Sequence, residues 1–171
     1  LRTAIERAYF AKVILKGNYK SEYVIYNDKI GNDLIEAKRL EDEIYKALER
    51  REFKVYFQPK VNLKTGEITG AEALVRWEHP KLGTISPSKF IPIFEKNGFI
   101  IKLDKYVFEE VCKNIKRWIN EGYNVVPVSV NVSRLHFLTG NFVSDYTEIK
   151  KKYKIHNHLI EIEITESVAF S

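Results

Sequence analysis

Three segments of the sequence, 70–77, 126–133 and 160–165, alternate in side-chain character with the period of two that a β-strand imposes. One face of each segment is built almost entirely from Ala, Val, Ile or Trp. The opposite faces carry these residues: Glu72, Leu74 and Arg76 in the first segment, Ser129 and Asn131 in the second, and Glu161 and Glu163 in the third. Each predicted strand therefore has one apolar face and one mainly polar face.

Long amphipathic helical patterns separate these segments, which predicts parallel strands covered by helices on their apolar side. The fold class predicted is therefore α/β, with the strands arranged as in a (β/α) barrel whose polar faces line the interior and the mouth. Glu72, Asn131 and Glu163 would then cluster inside. Such a cluster is costly unless a cation or a substrate compensates it, so the pattern indicates a metal site.

The rest of the pattern predicts five helices and two further strands. The helices are expected over the following ranges: 1–16, 33–50, 86–97, 101–121 and 141–153. Alternation predicts one strand over 19–26 and another over 53–61, which forms an antiparallel hairpin with 70–77. Turns are expected at 27–28 and 31–32. At 171 residues the chain is short for a complete (β/α)8 barrel of about 250 residues, so we expect a modified, partial barrel, truncated before its later strands.

Composition limits the setting and the partners. The formal charge of +5 favours an anionic partner, but the basic residues are dispersed, and the run 150–152 ends a helical pattern, where cations suit the helix dipole. No apolar run is long enough to span a bilayer, and no signal-peptide pattern opens the chain. Cys112 has no second cysteine to pair with, so a reducing, cytoplasmic setting is expected. No RNA-binding signature is present, so a nucleic-acid polymer is not expected as a partner.

A set of short motifs carries a resemblance to a known family. The motifs are Tyr56-Phe57-Gln58-Pro59-Lys60-Val61, Thr65-Gly66, Glu72-Ala73-Leu74, Arg76-Trp77, Ser86-Pro87, Phe90-Ile91-Pro92, Ser129-Val130-Asn131-Val132-Ser133 and Glu163-Ile164-Thr165-Glu166-Ser167. In this order and approximate spacing they resemble the first half of an EAL-domain cyclic-di-GMP phosphodiesterase. Upstream, residues 4–26 resemble the end of a GGDEF (diguanylate cyclase) domain. The organisation expected is a GGDEF remnant over 1–30, a connecting helix over 31–50 and the first half of an EAL domain over 51–171.

The resemblance implies a modified barrel that hydrolyses cyclic-di-GMP to pGpG with Mg²⁺ or Mn²⁺. Within it, Glu72, Asn131 and Glu163 match metal ligands, a set of hard oxygen donors suited to those ions. Gln58, Leu74 and Arg76 match substrate-binding positions, with Arg76 on a phosphate. Glu166 matches a residue that supports a catalytic loop. The expected catalytic set is thus Glu72, Asn131, Glu163 and Glu166.

The family's later parts include a paired-aspartate loop, a lysine, a further glutamate and a glutamine, which would lie after residue 171. Since two-metal hydrolysis needs the whole ligand set, we expect a polypeptide of these residues alone to be inactive, although its parent is an enzyme. The alternative function is a non-catalytic cyclic-di-GMP receptor or a dimerisation module. Expected partners are cyclic-di-GMP, an adjacent GGDEF domain and a second copy of the chain.

Four other residues are expected to have structural rather than catalytic roles. Glu161 is expected at the bottom of its strand or in an ion pair, and His79 in a turn or at the surface. His136 is expected to pack between helices, and Cys112 to be inert packing.

Overall fold

The computed structural model describes residues 2–17, 25–138 and 140–164. The chain divides into two compact units, residues 1–45 and 46–171. The helices are α1 (Arg2–Gly17), α2 (Asp28–Glu49), α3 (Pro87–Asn97), α4 (Ile100–Asn120) and α5 (Phe142–Tyr153). The strands are β1 (Phe53–Val61), β2 (Ile68–His79), β3 (Gly83–Ile85), β4 (Val128–Val132) and β5 (Ile160–Ile164). Short 3-10 helices span Arg134–Leu138 and Asn157–Leu159.

The first unit contains α1 and most of α2. Helix α2 begins at Asp28, and the Oδ1 atom of Asn27 accepts a hydrogen bond of 2.9 Å from the backbone N–H of Ile30. Asn27 is therefore the N-cap of α2, since it satisfies one of the N–H groups that a helix start leaves without a partner. The turns predicted at 27–28 and 31–32, and the helix start predicted at Asp33, were wrong for this reason. Most of the strand predicted over 19–26 lies outside the described residues.

The second unit is built on a mixed sheet with strand order β1-β2-β4-β5, and β3 pairs with the end of β2. Strands β1 and β2 form the predicted antiparallel hairpin, and β2, β4 and β5 are parallel. Three registered pairs align the polar face: Gln58 with Glu72, Glu72 with Ser129, and Asn131 with Glu163. Strand β3 was not predicted, because three residues are too few to show an alternation.

Helices cover the central part of the apolar face of this sheet, as the sequence predicts, whereas Ile162 and Ile164 of β5 are exposed. Phe53 of β1, Trp77 of β2 and Phe90 and Phe94 of α3 form an aromatic cluster with ring centroids 5.1 to 6.0 Å apart, and each is at most 1% exposed. The indole N–H of Trp77 donates a 2.9 Å hydrogen bond to Glu52. Burying each of these side chains contributes roughly 2 kcal/mol to folding, so the cluster anchors β1 and β2 to α3.

Helix α4 packs against β4 and β1 through the stripe that its apolar spacing predicts. Its residues Val107, Val111 and Ile115 are buried, and so are the valines of β4. Helix α3 begins after Ser86 with Pro87 in its first turn, and it ends at Gly98, which has a φ of +76°. These bounds agree with the predicted helix starts and ends.

Candidate active site

The polar face of the sheet gathers side chains from all four long strands. Because strand residues alternate between faces, the registered pairs place one set on this side: Lys54, Tyr56, Gln58 and Lys60 of β1, Glu72, Leu74 and Arg76 of β2, Ser129 and Asn131 of β4, and Glu161 and Glu163 of β5. Among them, Ser129 is buried, Glu72 and Asn131 are half-buried, and Gln58 is exposed. Burial on this face therefore decreases from Ser129 at its centre to the exposed Gln58 of β1.

Glu72 and Asn131 are in direct contact across two adjacent parallel strands. The Nδ2 atom of Asn131 donates a hydrogen bond of 2.7 Å to Oε1 of Glu72. The two residues lie 59 positions apart in the sequence, and the pairing of β2 with β4 brings them together. A carboxylate and an amide that the sequence predicts as neighbours are thus neighbours in the fold.

Glu163, the third predicted ligand, pairs with a lysine. Nζ of Lys60 lies 2.8 Å from Oε1 of Glu163 and 2.8 Å from Oγ of Ser129. Lys60 and Ser129 hold the pKa of Glu163 below its ordinary value, because both donate hydrogen bonds to its carboxylate. The hydrogen bond to Glu163 in turn raises the pKa of Lys60. Glu163 is therefore ionised at neutral pH.

Sequence reasoning placed Ser129 on the polar face without a role, and it missed Lys60 as a member of this cluster. Lys60 lies 69 positions from Ser129 and 103 from Glu163, and a lysine on the outer part of a strand is usually solvated. One signal was available. The register of the predicted hairpin places Lys60 opposite Gly70, which has no side chain to stop the lysine from crossing the next strand.

The predicted substrate-binding residues lie on the same face but at different depths. Leu74 and Arg76 line a cavity of about 280 Å³ at the carboxyl end of β2, together with Asn131 and Ser133, and most of its remaining lining is apolar side chains of the sheet, α3 and α4. Nη1 of Arg76 donates a hydrogen bond of 2.9 Å to the carbonyl oxygen of Val75. Carboxyl ends of parallel strands are where ligands of barrels bind, and Arg76 lies there in a cavity that the carboxylates of Glu95 and Asp104 also line.

A buried polar network holds the segment that follows Asn131. The backbone N–H of Ser133 donates to Oδ2 of Asp104 at 2.8 Å, and the Ser133 hydroxyl donates to Oε1 of Glu95 at 3.0 Å. His136 lies 3.1 Å from Asp104 and 3.2 Å from the Tyr146 hydroxyl. Burial raises the pKa of Asp104 above its ordinary value, partly offset by its hydrogen bonds from His136 and Ser133. The network ties the end of β4 to α4 and α5, and His136 packs between helices as predicted.

The remaining predicted residues have plainer positions. Glu161 is exposed and pairs in register with Ser129. His79 is buried at the end of β2, where its Nδ1 accepts hydrogen bonds from the backbone N–H groups of Lys81 and Leu82, each at 3.1 Å, so its place is in a turn and not at the surface. Glu166 lies outside the described residues.

The donors present fit a hard divalent cation. Carboxylate and amide oxygens on adjacent strands are ligands that Mg²⁺ and Mn²⁺ prefer. Within the described ranges, no three His, Cys, Asp or Glu side chains are grouped so that they could hold a metal ion. A cation here would therefore use Oδ1 of Asn131 beside the carboxylates of Glu72 and Glu163.

The chain belongs to the EAL domain family, whose model matches residues 41–171. It is 33% identical over 155 residues to the bifunctional diguanylate cyclase/cyclic di-GMP phosphodiesterase MucR of Pseudomonas aeruginosa, covering 90% of this chain and 22% of that protein. It is 34% identical over 122 residues to the oxygen sensor protein DosP of Escherichia coli, covering 71% of this chain and 15% of that protein. The chain thus spans less than a quarter of the length of these relatives.

Solved structures of EAL proteins share the fold. The PaMucR phosphodiesterase in complex with c-di-GMP matches with a TM-score of 0.71 and 34% identity, covering 77% of this chain and 53% of that one. The EAL enzyme Bd1971 bound to cAMP and cyclic-di-GMP matches with a TM-score of 0.70 and 30% identity, covering 82% and 40%. The predicted fold class is confirmed: an α/β fold that forms part of a TIM-type barrel, with an antiparallel first strand.

One further observation concerns membranes. Among the helices of the described residues, none combines the length and the apolar character that crossing a bilayer requires.

Proposed function

We propose that this chain is part of a cyclic-di-GMP phosphodiesterase that hydrolyses cyclic-di-GMP to pGpG. The observation that carries the proposal is the contact between Glu72 and Asn131 on the polar face of the sheet, with Glu163 in register beside Asn131. The EAL family, to which the chain belongs, includes such an enzyme. Glu72, Asn131 and Glu163 would hold Mg²⁺ or Mn²⁺. When bound, the metal polarises the phosphate and lowers the pKa of a bound water.

The chain's own residues bind and orient the substrate in this proposal. Arg76 offers a guanidinium at the carboxyl end of β2, where it can bind a phosphate oxygen pair. Leu74 contributes an apolar surface beside it, and Gln58 an exposed amide on β1 next to Glu72. The network around Asp104 fixes the end of β4, so that Asn131 keeps its position relative to Glu72. Glu166 supports a catalytic loop.

The domain organisation is part of the same proposal. Residues 1–30 are the end of a GGDEF domain, 31–50 connect it to the EAL domain, and 51–171 are the first half of that domain. MucR supports the GGDEF neighbour, because that relative is named as both a cyclase and a phosphodiesterase. A cytoplasmic location and association of two copies belong to the proposal as well. A polypeptide limited to these 171 residues is inactive in this proposal, since the PaMucR phosphodiesterase chain is only 53% covered.

The test is a product assay on the intact natural protein with cyclic-di-GMP and Mn²⁺. We expect pGpG to form, and the substitution Glu72→Gln to lower kcat by at least about a hundredfold, because it removes a metal-binding charge. The control is Glu67→Gln, which removes the same charge from an exposed position in the β1–β2 turn and should leave the rate unchanged. Full activity of Glu72→Gln would contradict the proposal.

The alternative function, a non-catalytic cyclic-di-GMP receptor, predicts a different result for the same protein. Calorimetric titration with cyclic-di-GMP would show tight binding, with or without metal, and no pGpG would form. That outcome would replace the enzyme with a cyclic-di-GMP receptor.

A further inference from the structure

Lys60 makes a long crossing of the sheet. It leaves the polar face of β1, passes over β2 and ends between Ser129 of β4 and Glu163 of β5, with both contacts at 2.8 Å. Its ammonium group thus connects the first strand of the sheet to the two strands that supply Asn131 and Glu163. The side chains of Lys60 and Glu163 are 44% and 42% exposed, so solvent reaches this ion pair.

Gly70 lies beside the crossing. It is opposite Lys60 in the β1–β2 register, and a Cβ atom placed on it would stand 3.7 Å from Cδ of Lys60, an ordinary van der Waals contact, and 3.2 Å from the carbonyl oxygen of Pro127. The lysine stem therefore passes over β2 at a position that has no side chain of its own.

The ammonium group lies among carboxylates. Besides Glu163, which it contacts, Lys60 interacts electrostatically with Glu72 and Glu161. Two of these three carboxylates are the ones that would hold a divalent cation under the proposed function. A lysine paired with a predicted metal ligand weakens the binding of a divalent cation, because its positive charge repels the incoming cation and competes for the same oxygen atoms.

We propose that Lys60 is an internal counter-ion that competes with the divalent cation for Glu163 and thereby lowers the metal affinity of the site. This inference rests on the proposed function, since it presupposes that Glu72, Asn131 and Glu163 bind Mg²⁺ or Mn²⁺. Metal binding then requires the Glu163 carboxylate to exchange the Lys60 ammonium for the cation. Lys60 thereby raises the metal concentration at which the site is half filled.

The test is the affinity for Mn²⁺, measured by calorimetry on the intact natural protein and on its Lys60→Met variant. Lys54→Met is the matched control, because it removes the same charge from the same face of β1, six residues away at an exposed position. The Glu72→Gln variant identifies the heat that belongs to this site. We expect Lys60→Met to tighten Mn²⁺ binding about tenfold, and Lys54→Met to change it less than about twofold.

The outcomes separate this inference from the proposed function. If the natural protein binds Mn²⁺ in a Glu72-dependent way and Lys60→Met binds it equally or more weakly, Lys60 is a structural ion pair and the inference is overturned, while the proposed function stands. If no variant shows Glu72-dependent binding, both fail.

A second measurement covers the case in which Lys60→Met does not fold. Acetylation of lysines in the natural protein, read by mass spectrometry, should accelerate severalfold at Lys60 when Mn²⁺ is added, because the ammonium loses its carboxylate partner. Acetylation of Lys54 should not change. Equal labelling of Lys60 with and without saturating Mn²⁺ would overturn the inference.

Discussion

Glu109 shows how one carboxylate joins two helices. On α4, it accepts hydrogen bonds of 2.7 Å from Nζ of Lys152 and from the hydroxyl of Tyr153, both on α5. These two donors lower the pKa of Glu109, with Lys152 the larger cause. The basic run 150–152 thus does more than suit the helix dipole, because one of its members pairs with a neighbouring helix.

The lowered pKa of Glu109 makes a pH-dependent contribution to stability. The contribution is present above the ordinary pKa of about 4.5 and is lost as the pH falls through the lowered value, because protonation then removes the interaction with Lys152. We expect Glu109→Gln to cost about 1 kcal/mol at pH 7 and less at pH 3.

Thermal unfolding between pH 3 and pH 7 measures this difference. The control is Glu110→Gln, whose partner Lys113 lies on the same helix and so joins nothing to α5. A loss of stability in Glu109→Gln that stayed constant over the whole range would show that the pair has no electrostatic role.

At the scale of the elements, Gly70 determines how closely β2 and β4 approach. The next residue, Ala71, donates its backbone N–H to the Pro127 carbonyl at 2.9 Å, and a Cβ on Gly70 would lie 3.2 Å from that same oxygen. The obstacle is backbone rather than a flexible side chain. Relief therefore requires one strand to move.

We predict that Gly70→Ala destabilises the second unit by roughly 1–3 kcal/mol, because the added methyl group forces β2 away from the start of β4. Chemical denaturation measures the change. Thr69→Ala, at the neighbouring exposed position, should stay within about 0.5 kcal/mol. An unchanged free energy of unfolding in Gly70→Ala would mean that β2 can move away from the start of β4 without a loss of stability.

The elements also show what the sequence could and could not predict. Alternation predicts β1, β2, β4 and β5, because apolar and polar residues alternate along each of them. The apolar side is buried in β4, whereas Ile162 and Ile164 of β5 are exposed. Alternation says nothing about β3, which is too short, and it misses Asn27, whose capping role depends on a helix that starts before the apolar stripe. Local pattern therefore determines the long elements, while caps and short strands depend on contacts.

The site divides in the same way. Glu72, Asn131 and Glu163 are predictable as one cluster because strand faces and parallel order bring them together, and their roles as ligands remain a proposal. The involvement of Lys60 is not predictable from pattern alone, since its bond to Glu163 joins residues 103 positions apart and depends on which rotamer crosses Gly70. The pairing of the strands determines which residues share the polar face, and only side-chain geometry determines which of them form hydrogen bonds with each other.

For the second unit as a whole, Cys112 can report unfolding. It is fully buried on α4, and burial raises the pKa of its thiol to about 12. Compared with an ordinary cysteine, the reactive thiolate is roughly a thousandfold rarer at pH 8, as well as inaccessible. Since it is the single cysteine in these residues, its modification gives an unambiguous signal.

We expect iodoacetamide to modify Cys112 only when the second unit opens. Mass spectrometry of its tryptic peptide should show negligible labelling in buffer and complete labelling above the denaturation midpoint, with the labelling transition matching that of Trp fluorescence. Rapid labelling in buffer would contradict the buried position, and it would point to local opening of α4.

The antiparallel pairing of β1 and β2 has a consequence for biosynthesis. These strands are joined through residues 62–67 alone, so they can pair as soon as both leave the ribosome, whereas β4 follows only after α3 and α4, and β5 only after α5 as well. Gln58 and Glu72 then stand side by side before Asn131 and Glu163 exist. The nascent chain carries the first part of its polar face as a template, onto which translation adds the remaining strands in order.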